Sequence, residues 1–387
     1  MANDRPLLLD VSRLIWRRWA GRLPTGIDRV CLAYLARYGH EAQAVVQGRG
    51  VRRILGMAAS DQLFTLLSRP EARFRRDFVR MAPRLLRPSA RALPGKARLY
   101  LNVGHTGLQE PALVEWTRTA DVRPIYMVHD LIPITHPEYC RAGEAARHSE
   151  RVRNMLASAH GIITNSRATL NSLAEFAIVE GLPLAPSVTA LLGVESWIGS
   201  GVAPPVPDRP TFVMLGTIEA RKNHLLMLQL WARLAQKLGP DTPRLLIIGQ
   251  RGWECEQAVD LLERCRALQG HVVEIDRCSD SELLQQLTTA RALLFPSLVE
   301  GFGLPLIEAL GLGTPVIASD LSVFREISPD IPTYLDPLDG PAWEQAVLCY
   351  AQDDSPSRRA QLARLAGFRP PSWDDHFTVV NDWLLQL

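Results

Sequence analysis

Short apolar runs alternate with longer helical patterns along the whole chain, and this alternation constrains the fold more than any other feature. Five strands are predicted in the first half, at residues 7–11, 42–47, 98–103, 125–129 and 161–165. Five more are predicted in the second half, at residues 211–216, 244–249, 272–276, 292–296 and 315–319. Runs this short and this apolar are typical of strands buried on both faces of a parallel sheet. The chain is therefore predicted to be an α/β protein built from βαβ units.

A segment rich in glycine, serine and proline, residues 199–210, separates the two sets of strands and is predicted to be a linker. With 387 residues, the chain exceeds the length of one typical hydrophobic core. We therefore expect one Rossmann-like domain over residues 1–198 and a second over residues 211–371. The last residues, 372–387, are predicted to form a helix that Ser372 caps.

Composition excludes several classes of protein. The six cysteines form no Cys-x-x-Cys pair, so no zinc site is expected, and scattered thiols are typical of the reducing cytosol. No stretch approaches the roughly 18 apolar residues of a membrane span. The first residues lack the charged and then apolar order of a signal peptide. A cytoplasmic location, or a peripheral one on the inner face of the membrane, is expected.

The run over residues 299–308 places two carboxylates around a glycine turn and the start of a helix. Glu300 precedes the turn, and Glu308 lies about one helical turn into the helix. Gly301 and Gly303 lack a Cβ atom, so the backbone there can turn sharply and approach a ligand. Pro305 suits the first turn of a helix, where its missing N–H is not needed.

The backbone amides of Phe302, Gly303 and Leu304 would lie at the positive end of this helix, which is a favourable place for a phosphate. Glu300 could then face a sugar and Glu308 a ribose diol, with a diphosphate between them. The plainer alternative is a helix start with a surface glutamate at each end.

A second motif, residues 216–224, follows a predicted strand and precedes a helical pattern. Two adjacent cations in it, Arg221 and Lys222, could neutralise a diphosphate, the first as a fork and the second as a point charge. The alternative is an ordinary basic helix start. Because cations oppose the helix dipole at that end, this alternative itself requires a nearby anion.

Polar residues also follow two predicted strands of the first half. His129 and Asp130 end one strand, and Asn102 and His105 lie at the end of another. Ligands bind at the carboxyl edge of open α/β sheets, which favours a functional reading. A packed or surface histidine is the alternative for His129, and Asp130 could orient or neutralise its imidazole.

The runs 216–224 and 299–308 together resemble the retaining glycosyltransferases of family 4, whose signature is Glu-x7-Glu. This resemblance implies the GT-B architecture: two Rossmann-like domains with parallel sheets facing a central cleft, and a terminal helix that packs back on the first domain. It also implies that Gly26, in a turn before a helix, approaches the donor diphosphate.

The resemblance implies a role for each matching residue. The expected catalytic residues are His129, Glu300, Arg221 and Lys222. The expected donor-binding residues are Gly26, Thr217, Arg221, Lys222, Phe302, Gly303, Leu304 and Glu308, and the acceptor candidates are Asn102, His105 and Asp130.

The reaction implied by the resemblance is transfer of a hexose from a nucleotide sugar to an acceptor hydroxyl, with retention at the anomeric carbon. The motifs look like those of mannosyltransferases of bacterial surface polysaccharide pathways, so GDP-mannose is the first expected donor and a glycan or lipid-linked glycan the expected acceptor. No Asp-x-Asp triplet occurs, so neither a metal nor another cofactor is expected. A UDP-sugar transferase, a nucleotide-sugar 2-epimerase and a non-catalytic nucleotide-sugar sensor remain alternatives.

A basic segment with interspersed apolar residues extends from Arg69 to Arg98, with ten Lys/Arg against two acidic residues. Trp16 and Trp19 flank two arginines upstream, a pairing typical of membrane interfaces. Contact with an anionic lipid surface is expected here; a solvated basic face or an acidic protein partner is the alternative. No nucleic-acid-binding motif accompanies the charge, so nucleic acid is not an expected partner.

Overall fold

The computed structural model describes residues 5–21, 24–48, 50–69, 74–86, 96–194 and 207–387. Residues 199–206 of the predicted linker lie outside this part of the chain. The chain divides into two compact units. Unit 1 comprises Met1–Leu131, Ala146–Ala190 and Phe377–Leu387, and unit 2 comprises Ile132–Ala145 and Leu191–His376. The exact domain boundaries drawn from the sequence stay a prediction.

Unit 1 is built on a seven-stranded sheet with the strand order β3-β2-β1-β4-β5-β6-β7. All neighbouring strands are parallel except β3, which runs antiparallel to β2. Its strands are β1 (Leu7–Asp10), β2 (Ala42–Gly48), β3 (Val51–Ile54), β4 (Arg98–Asn102), β5 (Val122–Val128), β6 (Gly161–Thr164) and β7 (Ser187–Thr189). The order reverses between β1 and β4, as it does in doubly wound folds.

Helices connect these strands, as parallel pairing requires. In chain order they are α1 (Ser12–Trp19), α2 (Gly26–Tyr38), α3 (Met57–Ser68), α4 (Phe74–Leu86), α5 (Leu113–Thr119), α6 (Ile132–Thr135), α7 (Glu144–Ser158) and α8 (Arg167–Glu180). Of these, α6 and the first two residues of α7 belong to unit 2.

Unit 2 contains a six-stranded, wholly parallel sheet with the order β10-β9-β8-β11-β12-β13. Its strands are β8 (Thr211–Leu215), β9 (Arg244–Ile248), β10 (Val272–Ile275), β11 (Ala292–Phe295), β12 (Val316–Ser319) and β13 (Thr333–Leu335). Its helices are α9 (His224–Leu238), α10 (Glu256–Arg264), α11 (Asp280–Thr289), α12 (Leu304–Gly311), α13 (Ser322–Ile327), α14 (Gly340–Ala351) and α15 (Pro356–Leu365). Trp231 and Trp343 are fully buried and fill the core beside β8 and β9.

The last helix, α16 (Trp373–Leu384), begins with a side-chain cap. The amide of Ser372 donates to Asp375 Oδ2 at 3.0 Å, and the amide of Asp375 donates to Ser372 Oγ at 3.1 Å. Farther along, within unit 1, Asn381 Oδ1 accepts a hydrogen bond from the Tyr38 hydroxyl at 2.7 Å. The Phe377 ring meets the Tyr38 ring edge-on.

All ten predicted strands are present, with ends that differ by at most three residues. The prediction of two α/β domains with parallel sheets is therefore confirmed. Three strands escaped sequence reading: β3, β7 and β13. The first carries two central arginines and alternates between exposed and buried positions, as an antiparallel edge strand does. The other two contain only three residues each, too few for a pattern.

The parallel strands of each sheet end at one edge, which positions the predicted site residues. In unit 1, Asn102 ends β4 and His129 follows β5. In unit 2, the turn at Gly216 follows β8, and residues 296–303 connect β11 to α12. Among the described residues, no helix is both long and apolar enough to cross a bilayer.

Candidate active site

A glycine-lined turn after β8 presents the two predicted cations of unit 2. Gly216 has φ +134°, and a Cβ atom on neighbouring Gly249 would lie 2.0 Å from the Gly216 carbonyl oxygen. Only glycine allows these two loops to approach so closely. A short 3-10 turn over Ala220–Lys222 follows and ends at Asn223, whose φ of +58° suits asparagine. Arg221 therefore lies on a tightly fixed turn immediately before α9.

Two cations and two carboxylates form a buried network in this part of unit 2; we call Glu219, Arg221, Lys222 and Glu300 the cation–carboxylate cluster. Arg221 Nη1 donates to Glu300 Oε2 at 2.7 Å, and its Nη2 lies 2.5 Å from Glu219 Oε1. Lys222 Nζ donates to Glu300 Oε1, which also accepts from Ser297 Oγ at 2.8 Å. The side chains of Glu219 and Glu300 are only 2% and 8% exposed.

Pairing decides the charge state of Glu300. Burial alone would raise the pKa of its carboxyl group, but Arg221 and Lys222 outweigh burial and hold the pKa at about 2. Burial lowers the pKa of Lys222, and Glu300 opposes that effect. For Glu219, burial raises the pKa against the opposing cations. Glu300 is thus a fully ionised carboxylate that binds both cations.

The predicted glycine turn lies directly beside this cluster. Gly303 has φ +130°, and a Cβ atom there would meet Phe324 Cε1 at 2.8 Å, so a larger residue would be strained and would force Phe324 to shift. The helix α12 begins at the next residue, Leu304, with Pro305 in its first turn. Phe302 is 5% exposed and anchors the turn in the core. The helix start therefore presents its partial positive charge at the turn that bears Glu300.

The remaining predicted donor-binding residues of unit 2, Thr217 and Glu308, lie on the turn after β8 and on α12. Thr217 is half-buried in the turn after β8. Its Cγ2 packs against Gly252, where an added Cβ atom would lie 2.6 Å from Thr217 Cγ2. Glu308 is 4% exposed on α12. The run 299–308 thus carries one glutamate in the cluster and another buried within the helix.

In unit 1, His129 is buried and fixed in one tautomer. Its Nε2 lies 2.8 Å from the carbonyl oxygen of Val103. Burial lowers the pKa of the imidazole to about 4, although Asp130 opposes this shift. Because a carbonyl can only accept, Nε2 of the neutral ring carries the hydrogen and Nδ1 carries a lone pair. His129 is therefore a hydrogen-bond acceptor at Nδ1.

Two further histidines lie in this region: His105 beside His129, and His148 beside His105. The His105 ring centroid lies 4.8 Å from that of His129, and His105 Nε2 contacts the Met127 carbonyl at 2.7 Å. Burial also lowers the pKa of His105 well below its ordinary value. His148 contacts the Asp130 carbonyl at 3.2 Å, so the backbone of the predicted acceptor candidate is held by a side chain.

The predicted acceptor candidate Asn102 lies at the end of β4. It is fully buried, and its Nδ2 donates to the Tyr100 hydroxyl and the Thr106 carbonyl, each at 3.1 Å. Tyr100 in turn donates to Asp10 Oδ2 at 2.8 Å. Burial raises the pKa of Asp10 to about 6. These bonds make Asn102 a brace for the loop that carries His105.

Gly26 is the exposed first residue of α2, and a capping box between Thr25 and Asp28 holds the start of this helix. Thr25 N–H donates to Asp28 Oδ2 at 2.7 Å, closing a capping box. Asp28 also pairs with Arg13 and Arg17, at 2.7 and 2.9 Å.

Sequence reasoning missed Glu219, Ser297 and Asp28 as parts of these sites. Glu219 stands two residues before Arg221, and a carboxylate this close to two cations was the available sign of pairing. Ser297 and Asp28 offered no comparable sign. Within the described ranges, no group of three or more His, Cys, Asp or Glu side chains is arranged to hold a metal ion.

Solved structures define the class of this fold. Anabaena HepE in complex with UDP and glucose aligns with 99% of this chain and 100% of its own, with a TM-score of 0.68 at 13% identity. Sucrose-phosphate synthase from Thermosynechococcus elongatus aligns with 99% of this chain and 98% of its own, with a TM-score of 0.61 at 17% identity. The chain has the GT-B fold.

Sequence comparison then identifies the kind of protein. Residues 201–330 match the family model described as Glycosyl transferases group 1. O-antigen chain mannosyltransferase B of Escherichia coli is 29% identical over 277 residues, 68% of this chain and 70% of that protein. O-antigen chain mannosyltransferase RfbU of Salmonella typhimurium is 36% identical over 155 residues, 39% of this chain and 41% of that protein. The chain is a glycosyltransferase similar to bacterial polysaccharide mannosyltransferases, as the sequence predicted.

Some relatives are much longer than the matched region. The chain matches 32% of the length of the serotype-specific mannosyltransferase WbdA of Escherichia coli, at 28% identity over 269 residues. Phosphatidyl-myo-inositol mannosyltransferase of Mycolicibacterium smegmatis is 32% identical over 157 residues, 40% of this chain and 39% of that protein.

Proposed function

We propose that this chain is a retaining, metal-independent glycosyltransferase of family 4 that transfers mannose from GDP-mannose. The acceptor in this proposal is a glycan or lipid-linked glycan of a surface polysaccharide pathway. The names of its relatives support mannose as the sugar, since several are mannosyltransferases of O-antigen chains. The name of the mycobacterial relative supports a lipid-linked acceptor.

The observation that carries the proposal is the cation–carboxylate cluster at the carboxyl edge of the unit 2 sheet. Arg221 and Lys222 are largely buried, and cations in such surroundings interact with an anion more strongly than they do in water. They are already oriented by Glu219 and Glu300, so little reorganisation accompanies charge development on a leaving diphosphate. The start of α12 adds further positive potential.

The internal carboxylates set a condition on donor binding. In the structure Glu219 and Glu300 pair with Arg221 and Lys222, so two carboxylates face the two cations before any donor arrives. A diphosphate adds negative charge beside Glu300, and we expect it to take over some of the hydrogen bonds of Arg221 and Lys222. Glu300 released in this way could accept from a hydroxyl of the transferred sugar.

The proposed reaction forms one bond from the acceptor hydroxyl oxygen to the anomeric carbon of mannose and breaks the bond from that carbon to the donor phosphate oxygen. Attack on the face that the diphosphate leaves accounts for retention, and the departing phosphate oxygen takes the acceptor proton. His129, neutral and with a lone pair at Nδ1, is suited to accept a hydrogen bond from a sugar hydroxyl. Glu308 is assigned to the ribose hydroxyls.

A donor panel tests the proposal. Purified protein is incubated with GDP-mannose, UDP-glucose, UDP-galactose and UDP-N-acetylglucosamine, with and without a mannose-terminated oligosaccharide, and in buffer with EDTA. We expect GDP release that requires both GDP-mannose and the acceptor and that persists in EDTA.

Each other result identifies an alternative. Activity confined to UDP-sugars would contradict the mannose donor, and turnover of the sugar without an acceptor would indicate an epimerase. Binding without turnover would indicate a sensor. Loss of activity in EDTA that Mg²⁺ restores would overturn metal independence, and an inverted anomeric configuration by NMR would overturn retention.

A further inference from the structure

Two helices of unit 1 meet in a surface that joins aromatic and cationic side chains. The helix α1 contributes two exposed tryptophans, and α4 contributes three exposed arginines and a valine. We call these residues the tryptophan–arginine patch: Trp16, Trp19, Arg75, Arg76, Val79 and Arg80.

The arginine side of α4 faces outward because its apolar side is already used in the core. Phe74 and Met81 are 3% and 8% exposed, and Phe78 stacks on Phe74 with ring centroids 5.5 Å apart. On a helix, residues 75, 76, 79 and 80 lie opposite this apolar stripe. The apolar residues of α4 therefore stabilise unit 1, and only the cationic side remains to meet a partner.

The apolar component of the patch comes from α1. Trp16 is 64% exposed and Trp19 is 41% exposed, and their spacing of three residues puts them on one side of the helix. Leu14, on the opposite side, is 3% exposed and anchors α1 in the core. Tryptophan is enriched where an apolar phase meets water, because its ring is apolar and its N–H needs a polar partner.

Direct contacts hold the two helices together, so the patch is one surface. Arg75 Nε donates to the Trp19 carbonyl at 2.7 Å, and the Arg75 guanidinium lies 6.0 Å from the centre of the Trp19 ring. The Trp19 ring meets Phe78 edge-on at 6.0 Å. The Arg75 cation is therefore fixed at the rim of an exposed aromatic surface.

We propose that the tryptophan–arginine patch docks unit 1 on a bilayer that contains anionic phospholipids. Asp77 pairs with Arg76 and Arg80, and Arg75 adds a third cation, so the exposed side of α4 keeps a surplus of positive charge. Phosphate headgroups are complementary to this charge, and Trp16 and Val79 can enter the interface beside them. An acidic protein would pair with the arginines, but its charge alone does not account for the exposed rings of Trp16 and Trp19.

The proposal is independent of donor chemistry, because it concerns a surface that shares no residue with the cation–carboxylate cluster. The patch also lies close in sequence to the predicted site: α1 begins two residues after β1, at the edge where Asp10 ends that strand. A lipid-linked acceptor would thus be met by a protein already held at the membrane surface.

Flotation of the full-length chain with lipid vesicles tests the proposal. One set of vesicles is phosphatidylcholine alone, and the other is phosphatidylcholine mixed with phosphatidylglycerol. We expect wild-type protein to float only with the anionic set and to be released as salt is raised, since salt screens such attraction. The triple variant R75Q/R76Q/R80Q should bind the anionic vesicles on the order of 100-fold more weakly, given the contribution of each arginine near an anionic surface.

A matched variant removes the same charge elsewhere. Arg233, Arg264 and Arg266 are exposed on unit 2, so R233Q/R264Q/R266Q should float like the wild type. Trp16→Ser should weaken binding but keep the preference for anionic vesicles, which separates the aromatic contribution from the charge. Circular dichroism confirms that each variant is folded, and transfer to a water-soluble acceptor by the arginine variant should be unchanged.

Three outcomes would overturn the proposal: absence of wild-type flotation, equal flotation with both vesicle sets, or equal loss of binding in the two triple variants. Absence of flotation together with capture of an acidic protein would assign the patch to that partner instead. None of these outcomes would bear on donor turnover, which the cation–carboxylate cluster predicts separately.

Discussion

The two units place buried titratable groups at the carboxyl edges of their sheets, yet they treat charge in opposite ways. In unit 2, Glu300 stays ionised with a pKa of about 2 because Arg221 and Lys222 pair with it. In unit 1, His129 is neutral, because burial lowers its pKa to about 4 and outweighs the opposing effects of the Val103 carbonyl and Asp130. Pairing therefore preserves charge in one unit, and burial removes it in the other.

This difference suits the carboxyl edges of the two sheets to different ligand groups. A charged cluster is suited to the diphosphate of a donor, where negative charge develops. A neutral histidine with a fixed lone pair is suited to hydroxyl groups, which carry no charge. A single substitution in either unit can test this difference, and the expected effects differ in kind.

The largest effect is expected from removing a cation of the cluster. Lys222→Ala should lower kcat for transfer by about 1,000-fold, comparable to the loss of one strong electrostatic contact in other enzymes. The matched variant is Lys237→Ala, because Lys237 pairs with Glu344 on the surface and lies outside the cluster. Steady-state nucleotide release measures both, and equal rates for the two variants would remove Lys222 from the mechanism.

Breaking the ion pairs from the acidic side should affect stability as well as activity. Glu300→Gln leaves two buried cations without their shared carboxylate, and we expect the free energy of unfolding to fall by about 3 kcal/mol. Glu344→Gln, which breaks pairs with Arg233 and Lys237 at the surface, should cost less than about 1 kcal/mol. Urea unfolding measures both; similar losses would show that the cluster is no stronger than a surface pair.

The pH dependence of stability tests the same carboxylate. The pKa of Glu300 is about 2 in the folded chain against an ordinary value of 4.5. Its contribution is therefore complete above pH 4.5 and is lost as the pH falls toward 2. Wild-type protein should lose more stability over this interval than Glu300→Gln does, and parallel curves would contradict the assigned charge state.

For His129, stability is expected to fall with falling pH, because the pKa of this base is lower in the folded chain than in the unfolded chain. The pKa of its imidazole is about 4 in the folded chain against 6.5 ordinarily, so the unfolded chain takes up the proton first as the pH falls. Wild-type protein should lose about 2 kcal/mol between pH 6.5 and 4 that His129→Asn does not lose. Direct NMR titration of the ring should show no protonation near pH 6.5, and a midpoint there would end the contrast between the units.

The smallest effect concerns the glycine turn that holds Glu300 in place. Gly303→Ala combines a positive φ with a Cβ atom 2.8 Å from Phe324, whereas Gly313→Ala has a positive φ and open space. The first substitution should therefore cost about 1 kcal/mol more than the second. Thermal unfolding of the two variants measures the difference, and equal costs would show that Phe324 yields without strain.

Local pattern was enough to predict most of the fold. Apolar runs mark the strands because parallel strands are buried on both faces, and the Ser372–Asp375 spacing marks the start of α16. The edge strand β3 was not predicted because half of its positions face solvent and its two central residues are arginines, so it forms no apolar run.

Prediction of the site was less complete, because contacts between distant residues decide it. The pairing of Glu300 with Arg221 joins positions 79 residues apart, and the bond from His129 to Val103 spans 26. No local pattern encodes either contact. Asn102 is an example: its position at a strand end predicts an acceptor contact, which stays a prediction, and that position gives no sign of its hydrogen bonds to Tyr100 and Thr106.

The central claim is that Arg221 and Lys222 hold the diphosphate of the donor, and a crystal structure tests it most directly. The ligand is the nucleoside diphosphate that the donor panel shows to be released. We predict diphosphate oxygens within about 3 Å of the Arg221 guanidinium and the Lys222 ammonium, with at least one bond from these cations to Glu300 replaced. A bound nucleotide whose diphosphate lies beyond reach of both cations, with every bond to Glu300 retained, would contradict the account.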